Sequence, residues 1–165
     1  MNMNLFNSSG AFFSDCRKYR YALWRIWDDS KPLVMFIGLN PSTADETEPD
    51  PTIKRVCAIA NYNGYGGIYM MNCFPFVSTK PEEMLLCKRN SVEWNINESW
   101  LYQISKTCKE VVFAWGNFDV IKQINRDKDL SNLFPQAKAL VINKNGSPKH
   151  PLYCKKETIL INYHK

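Results

Sequence analysis

The stretch Leu33-Val34-Met35-Phe36-Ile37-Gly38-Leu39-Asn40-Pro41-Ser42-Thr43 decides the fold. Pro32 opens it, an unbroken apolar run follows, and the turn-forming cluster Asn-Pro-Ser-Thr ends it. Such a run fits a strand buried on both faces, as in a parallel sheet covered by helices. Working outward, Asp50-Pro51-Thr52 reads as a helix start, with Asp as N-cap and Pro at the first helical position. Ile53, Val56, Cys57 and Ala60 recur at helical spacing, and Asn63-Gly64 ends the helix.

The alternation continues along the chain. Residues 67–74 form a second strand-like run, stopped by Pro75. Helical stretches follow near 81–87 and 91–108, with Asn90 and Glu93 spaced as a capping pair. Residues 110–115 predict a third strand, closed by Gly116. A helix from about Asn117 carries Val120, Ile121 and Ile124, and residues 137–142 predict a fourth strand. Upstream, residues 19–27 read as an N-terminal edge strand and residues 1–15 as a loose lead-in. The expected fold is therefore α/β: a three-layer sandwich around a central, mainly parallel four-stranded sheet, forming one domain over residues 1–165.

Composition narrows the classes. Lys plus Arg outnumber Asp plus Glu by 21 to 16, a net charge of +5, which permits an anionic partner without requiring one. No apolar run approaches the roughly 20 residues of a membrane span, and the first residues lack a signal-like pattern. The six cysteines, at 16, 57, 73, 87, 108 and 154, form no CxxC pair. They read as reduced thiols of a cytoplasmic protein, with no metal site and no cofactor expected. No phosphate loop, GxGxxG, HExxH or GxSxG motif occurs.

In parallel α/β folds, ligands sit beyond the carboxyl ends of the strands. Here those ends read Asn40-Pro41-Ser42-Thr43-Ala44-Asp45, Asn72-Cys73-Phe74-Pro75, Trp115-Gly116-Asn117 and Gly146-Ser147-Pro148-Lys149-His150-Pro151. An asparagine amide donates and accepts, so it can hold a water or read a base edge. Asp45 or Asp50 can act as a general base, and His150 can donate to a developing anion or shuttle a proton. Each residue also has a plainer reading, as turn former, helix cap, core or surface group. The recurrence at successive strand ends is what singles the rim out.

Gly38-Leu39-Asn40-Pro41-Ser42-Thr43-Ala44-Asp45, Asp50-Pro51-Thr52-Ile53, Ala114-Trp115-Gly116 and Gly146-Ser147-Pro148-Lys149-His150-Pro151-Leu152-Tyr153 resemble, in order and spacing, the motifs of the DUF1643 family of bacteria and phages. More distantly, the strand and Gly-x-Asn-Pro pattern at 38–41 is similar to the first motif of the uracil-DNA glycosylase superfamily, especially its mismatch-specific branch. The last motif departs from that superfamily's usual form: His150 precedes a proline, but Leu152 stands where a serine is usual.

That second resemblance implies a uracil-DNA glycosylase-like fold and a set of roles. Asn40 would position the attacking water, with Asp45 as the alternative, and His150 would stabilise the departing base. Asn72 would read the pyrimidine edge, with Pro41 beside the base and Phe74, or else Trp115, stacked on it. Ser42, Lys144, Ser147 and Lys149 would meet the DNA backbone. The implied activity is a monofunctional DNA glycosylase, which flips a deaminated or modified pyrimidine out of the stack and attacks C1′ with water. DNA repair, or defence against a phage carrying a modified base, would be its setting, with DNA as partner and a monomer as the expected state. The alternatives are a non-catalytic sensor of a base, nucleotide or modified DNA, and an enzyme acting on a free nucleoside or nucleotide.

Overall fold

The computed structural model describes residues 8–42, 44, 45, 47 and 50–163. The chain runs β1 (Ser8–Phe13), β2 (Arg20–Ile26), β3 (Leu33–Gly38), α1 (Pro51–Tyr62), β4 (Gly67–Asn72), a 3-10 turn (Pro81–Leu86), α2 (Val92–Ser105), β5 (Glu110–Phe113), α3 (Asp119–Gln123), α4 (Arg126–Leu133), β6 (Lys138–Ala139), a second 3-10 turn (Pro151–Tyr153) and β7 (Ile161–Asn162). All seven strands join one mixed sheet, in the order β1-β2-β4-β3-β5-β6-β7. β3 pairs parallel with β4 and with β5, and β5 pairs parallel with β6. The pairings of β1 with β2, β2 with β4 and β6 with β7 are antiparallel.

Period-two alternation along the inner strands builds two cores. Val34, Phe36, Val112 and Ala114 face one side, where Ile53, Val56 and Ile59 of α1 pack on them. Met35, Ile37, Phe113 and Trp115 face the other, where Trp94 and Leu101 of α2, Ile121 of α3 and Leu130 of α4 cover them. The helix after β3 and the helix after β4 thus lie on opposite faces, because the chain leaves β3 toward one edge and returns across it to β5.

Three expectations are corrected. Residues 8–13 are a strand rather than part of a loose lead-in, while residues 1–7 lie outside the described residues. β2 is therefore an inner strand, not an edge. Gly10 faces Trp24 across that pair, and a Cβ on Gly10 would lie 2.2 Å from the indole Cζ2. The tryptophan ring fills the space that a side chain on Gly10 would take. Among the described residues the sheet also has seven strands rather than four with an edge strand.

Smaller differences concern helix ends and strand lengths. Ser91, not Asn90, caps α2 by accepting from Trp94 N at 3.2 Å. Phe118 rather than Asn117 stands at the start of α3. β6 spans two of the six residues expected, and beyond it Ile142 bridges to Pro148. No helix among the described residues is long and apolar enough to cross a membrane.

Candidate functional site

Between β3 and β5 the sheet has its topological switch point, since the crossovers from β3 and from β4 diverge there, and such points open a crevice at the strand ends. Beside it, over the carboxyl ends of β3 and β4, lies a cavity of about 260 Å³. Its walls are Gly38, Leu39, Asn40 and Ser42 from the end of β3, Asp50, Thr52 and Ile53 from the start of α1, Arg20, Met70 and Asn72 from β2 and β4, Ser78 and Thr79 from the loop after β4, and Phe118 and His150. Asn40, Ser42, Asn72 and His150, expected from three separate strand ends, meet in one enclosure.

Asn72 is 2% exposed, and its Nδ2 has no hydrogen-bond partner. A buried, unpaired amide donor costs about 1–3 kcal/mol, so it marks a position where stability is given up. Its own main-chain carbonyl is held by Asn97 Nδ2 at 3.0 Å, which fixes the residue from behind.

Asn40 is engaged differently. Its Nδ2 donates to Ser78 O at 2.7 Å and to Pro41 O at 3.0 Å, with a longer contact to Phe76 O at 3.4 Å. The amide nitrogen thus ties the end of β3 to the loop after β4, and Oδ1 is the part of the side chain left to accept from a ligand or water. Asp50 caps α1 through Oδ1, which accepts from Ile53 N at 2.9 Å, while Oδ2 accepts from Ser42 Oγ at 2.8 Å.

His150 precedes the second 3-10 turn. Its Nδ1 accepts from Leu152 N at 3.2 Å, which leaves the ring proton on Nε2 in the neutral form. Burial lowers its pKa from 6.5, against the opposing pull of Asp50. At neutral pH the residue is therefore an uncharged N–H donor on the cavity wall. Gly116, at φ +82°, makes this possible, since a Cβ there would lie 3.3 Å from His150 Cβ.

Several expected residues lie elsewhere. Phe74 is fully buried and packs edge-on against Trp94 in the core, so it does not reach a base in the cavity. Trp115 is 1% exposed, packs tilted against Phe113 and edge-on against Tyr163, and borders a different cavity. Asp45 is outside the cavity wall; its Oδ1 accepts from Thr47 N at 2.9 Å. Pro41 is buried and accepts from Ser78 N and from Asn40 through its carbonyl. Ser147 is committed to Asn143 and Asn145 and braces its own loop rather than offering a free hydroxyl. Lys144 and Lys149 do line an adjoining groove of about 640 Å³, which shares Phe118 and His150 with the cavity. Thr43 lies outside the described residues.

Among the wall residues missed in the sequence, Arg20 and Phe118 bear most on the chemistry. Arg20 is 3% exposed, donates through Nη1 to Ala44 O at 2.8 Å, and leaves Nε unpartnered. Burial pushes its guanidinium down to about 10, with Asp50 opposing, so it is charged at neutral pH. The signal was a lone cation inside the apolar strand Tyr19-Arg20-Tyr21-Ala22-Leu23. Phe118, half-buried on the wall, carried no signal beyond following Gly116-Asn117. Among the described residues no group of three or more His, Cys, Asp or Glu is placed to hold a metal ion.

The fold and cavity define an α/β protein with a polar-walled cavity at the carboxyl ends of neighbouring strands. The chain belongs to the DUF1643 family, described as a protein of unknown function, whose family model matches residues 20–152. No curated protein and no solved structure matches the chain.

Proposed function

We propose that the protein is a monofunctional DNA glycosylase that takes an extruded, deaminated or modified pyrimidine into the cavity at the carboxyl ends of β3 and β4, and that its fold is uracil-DNA glycosylase-like. The fold reading is supported by the four neighbouring strands β4, β3, β5 and β6 pairing in parallel. The observation that carries the activity is the meeting of Asn40, Asn72 and His150 in one enclosure, with the Asn72 amide unpaired. Asn72 pairs with the polar edge of the base. Phe118 supplies the aromatic face in place of Phe74. Oδ1 of Asn40 orients a water toward C1′.

The oxygen of that water bonds to C1′ as the C1′–N bond breaks. The bonding pair leaves with the base, whose anion accepts a hydrogen bond from His150 Nε2 and is then protonated by the proton the water loses. Such a donor is worth about 3 kcal/mol at comparable sites.

A specific observation favours the sensor as a second reading. Asp50 is the one carboxylate on the cavity wall among the described residues, and both its oxygens already accept hydrogen bonds. Water activation thus falls to an amide, a weak base.

The deciding experiment incubates the protein with DNAs carrying uracil, hydroxymethylated, glucosylated or mismatched pyrimidines, followed by hot alkali. Strand cleavage at one substrate, lost in His150→Ala, supports the glycosylase. Binding of a substrate without cleavage supports the sensor. Neither binding nor cleavage overturns both readings and favours a free nucleoside or nucleotide as the ligand.

A further inference from the structure

The groove beside the cavity has a character of its own. It is more than twice as large, at about 640 Å³ against about 260 Å³, and it opens from the same Phe118 and His150 wall. Lys144 and Lys149 border it, and no carboxylate does among the described residues. Leu152 and Tyr153 form its outer lip at 43% and 76% exposure.

This lip is rigidly mounted. Tyr153 N donates to His150 O at 3.1 Å and Cys154 N to Pro151 O at 3.0 Å, while Arg55 of α1 holds the Cys154 carbonyl. The opposite wall is braced too: Ser147 is bonded to Asn143 and Asn145, and Tyr163 Oη donates to Gly146 O at 2.9 Å. An exposed tyrosine held on a fixed turn, beside two lysines, is a platform for a flat group next to a negatively charged one.

We propose that this groove holds the stretch of single-stranded DNA flanking the base in the cavity, with Tyr153 under a neighbouring base and Lys144 and Lys149 on its phosphates. The inference rests on the reading of the cavity as a base pocket. Single-strandedness follows from the exposed tyrosine. Bases in a duplex are stacked on each other and show no face to a tyrosine, whereas an unpaired strand does.

The test is fluorescence anisotropy with an unmodified, labelled oligonucleotide of about 15 nucleotides, as single strand, as duplex and as RNA of the same sequence. The single-stranded DNA is expected to bind at least about tenfold more tightly than the duplex. Tyr153→Ala should weaken it by about fivefold to a hundredfold, and Tyr153→Phe should retain it. The double variant Lys144→Gln with Lys149→Gln should flatten the log–log salt slope by about 1.4. Both positions of the lip are exposed, and an unchanged melting temperature checks that the variants fold. Duplex or RNA bound as tightly as the single strand, Tyr153→Ala without effect, or no binding at all would overturn the proposal. Base release is scored separately. Strand binding without base release keeps the groove and removes the glycosylase; base release indifferent to Tyr153 and to strandedness does the reverse.

Discussion

Asn72 occupies the space that a side chain on Gly38 would need: a Cβ on Gly38 would lie 3.1 Å from Asn72 Oδ1 and 2.7 Å from Met70 Cε. The two residues are partners across the parallel β3–β4 pair. The glycine therefore serves the asparagine, and not backbone freedom, since no positive φ occurs there. Gly38→Ala is expected to displace the Asn72 amide by a few tenths of an ångström and to push on Met70. Overpacking of this kind costs about 1–3 kcal/mol. Ligand binding or base release should fall well beyond what the change in melting temperature explains; a variant with lowered stability but full activity would show that the amide does not need this position.

The unpaired Nδ2 of Asn72 gives a second, opposite prediction for stability. Asn72→Leu keeps the branched side-chain skeleton and removes a buried donor that has no partner. Its folding stability should stay level or rise, because no protein hydrogen bond of that side-chain nitrogen is lost and the desolvation cost disappears. Base release or ligand binding should vanish. Chemical denaturation alongside the alkali assay measures both, and a loss of more than about 2 kcal/mol would mean that the amide has a structural partner after all.

The contrast between Asn72 and Phe74 shows what was legible in the sequence. Asn72 ends β4 and its side chain reaches the cavity, as the strand-end argument predicts. Two residues on, alternation would place Phe74 on the same face. The strand has ended by then and the chain bends at Cys73 and Phe74, so the ring turns into the core against Trp94. The β3 run was readable from its own unbroken apolar composition, and the Asp50 cap from a contact three residues along the chain. β1, β7 and the role of Arg20 were not, since they depend on what a distant residue leaves open: Trp24 over Gly10, the Ala137 carbonyl bonded by Tyr163 N beside β7, and the Ala44 carbonyl reached by Arg20.

His150 makes the protein sensitive to mild acid. Burial lowers its pKa in the folded state below the ordinary 6.5, so between those two values the unfolded chain binds more protons than the folded one. Its contribution is complete above pH 6.5 and is lost as the pH falls through the folded-state value. Melting temperatures of wild type and His150→Gln should therefore differ by a constant amount above pH 7 and lose part of that difference below 6.5. Base release through a neutral Nε2–H should be flat from pH 7 to 8. A rate that drops over that interval in step with loss of a proton would point to an imidazolium donor instead.

Asn40→Asp separates positioning from chemistry. A carboxylate at residue 40 is a stronger acceptor for water, and on that ground alone the variant should be faster. The structure argues the reverse. The amide nitrogen donates to the carbonyls of Ser78 and Pro41, and an oxygen in its place would face those oxygens without a proton. Losing these bonds and setting charge against carbonyl dipoles should cost about 2–3 kcal/mol and free the loop carrying Ser78 and Thr79, which form part of the cavity wall. Hydrogen exchange should rise at the Ser78 amide, which bonds to Pro41 O at 3.0 Å, and activity should fall. If the variant is instead as stable as wild type and faster, the residue is free to move, and the water-orienting role passes from the Asn40 carbonyl oxygen to whichever carboxylate oxygen the relaxed loop presents.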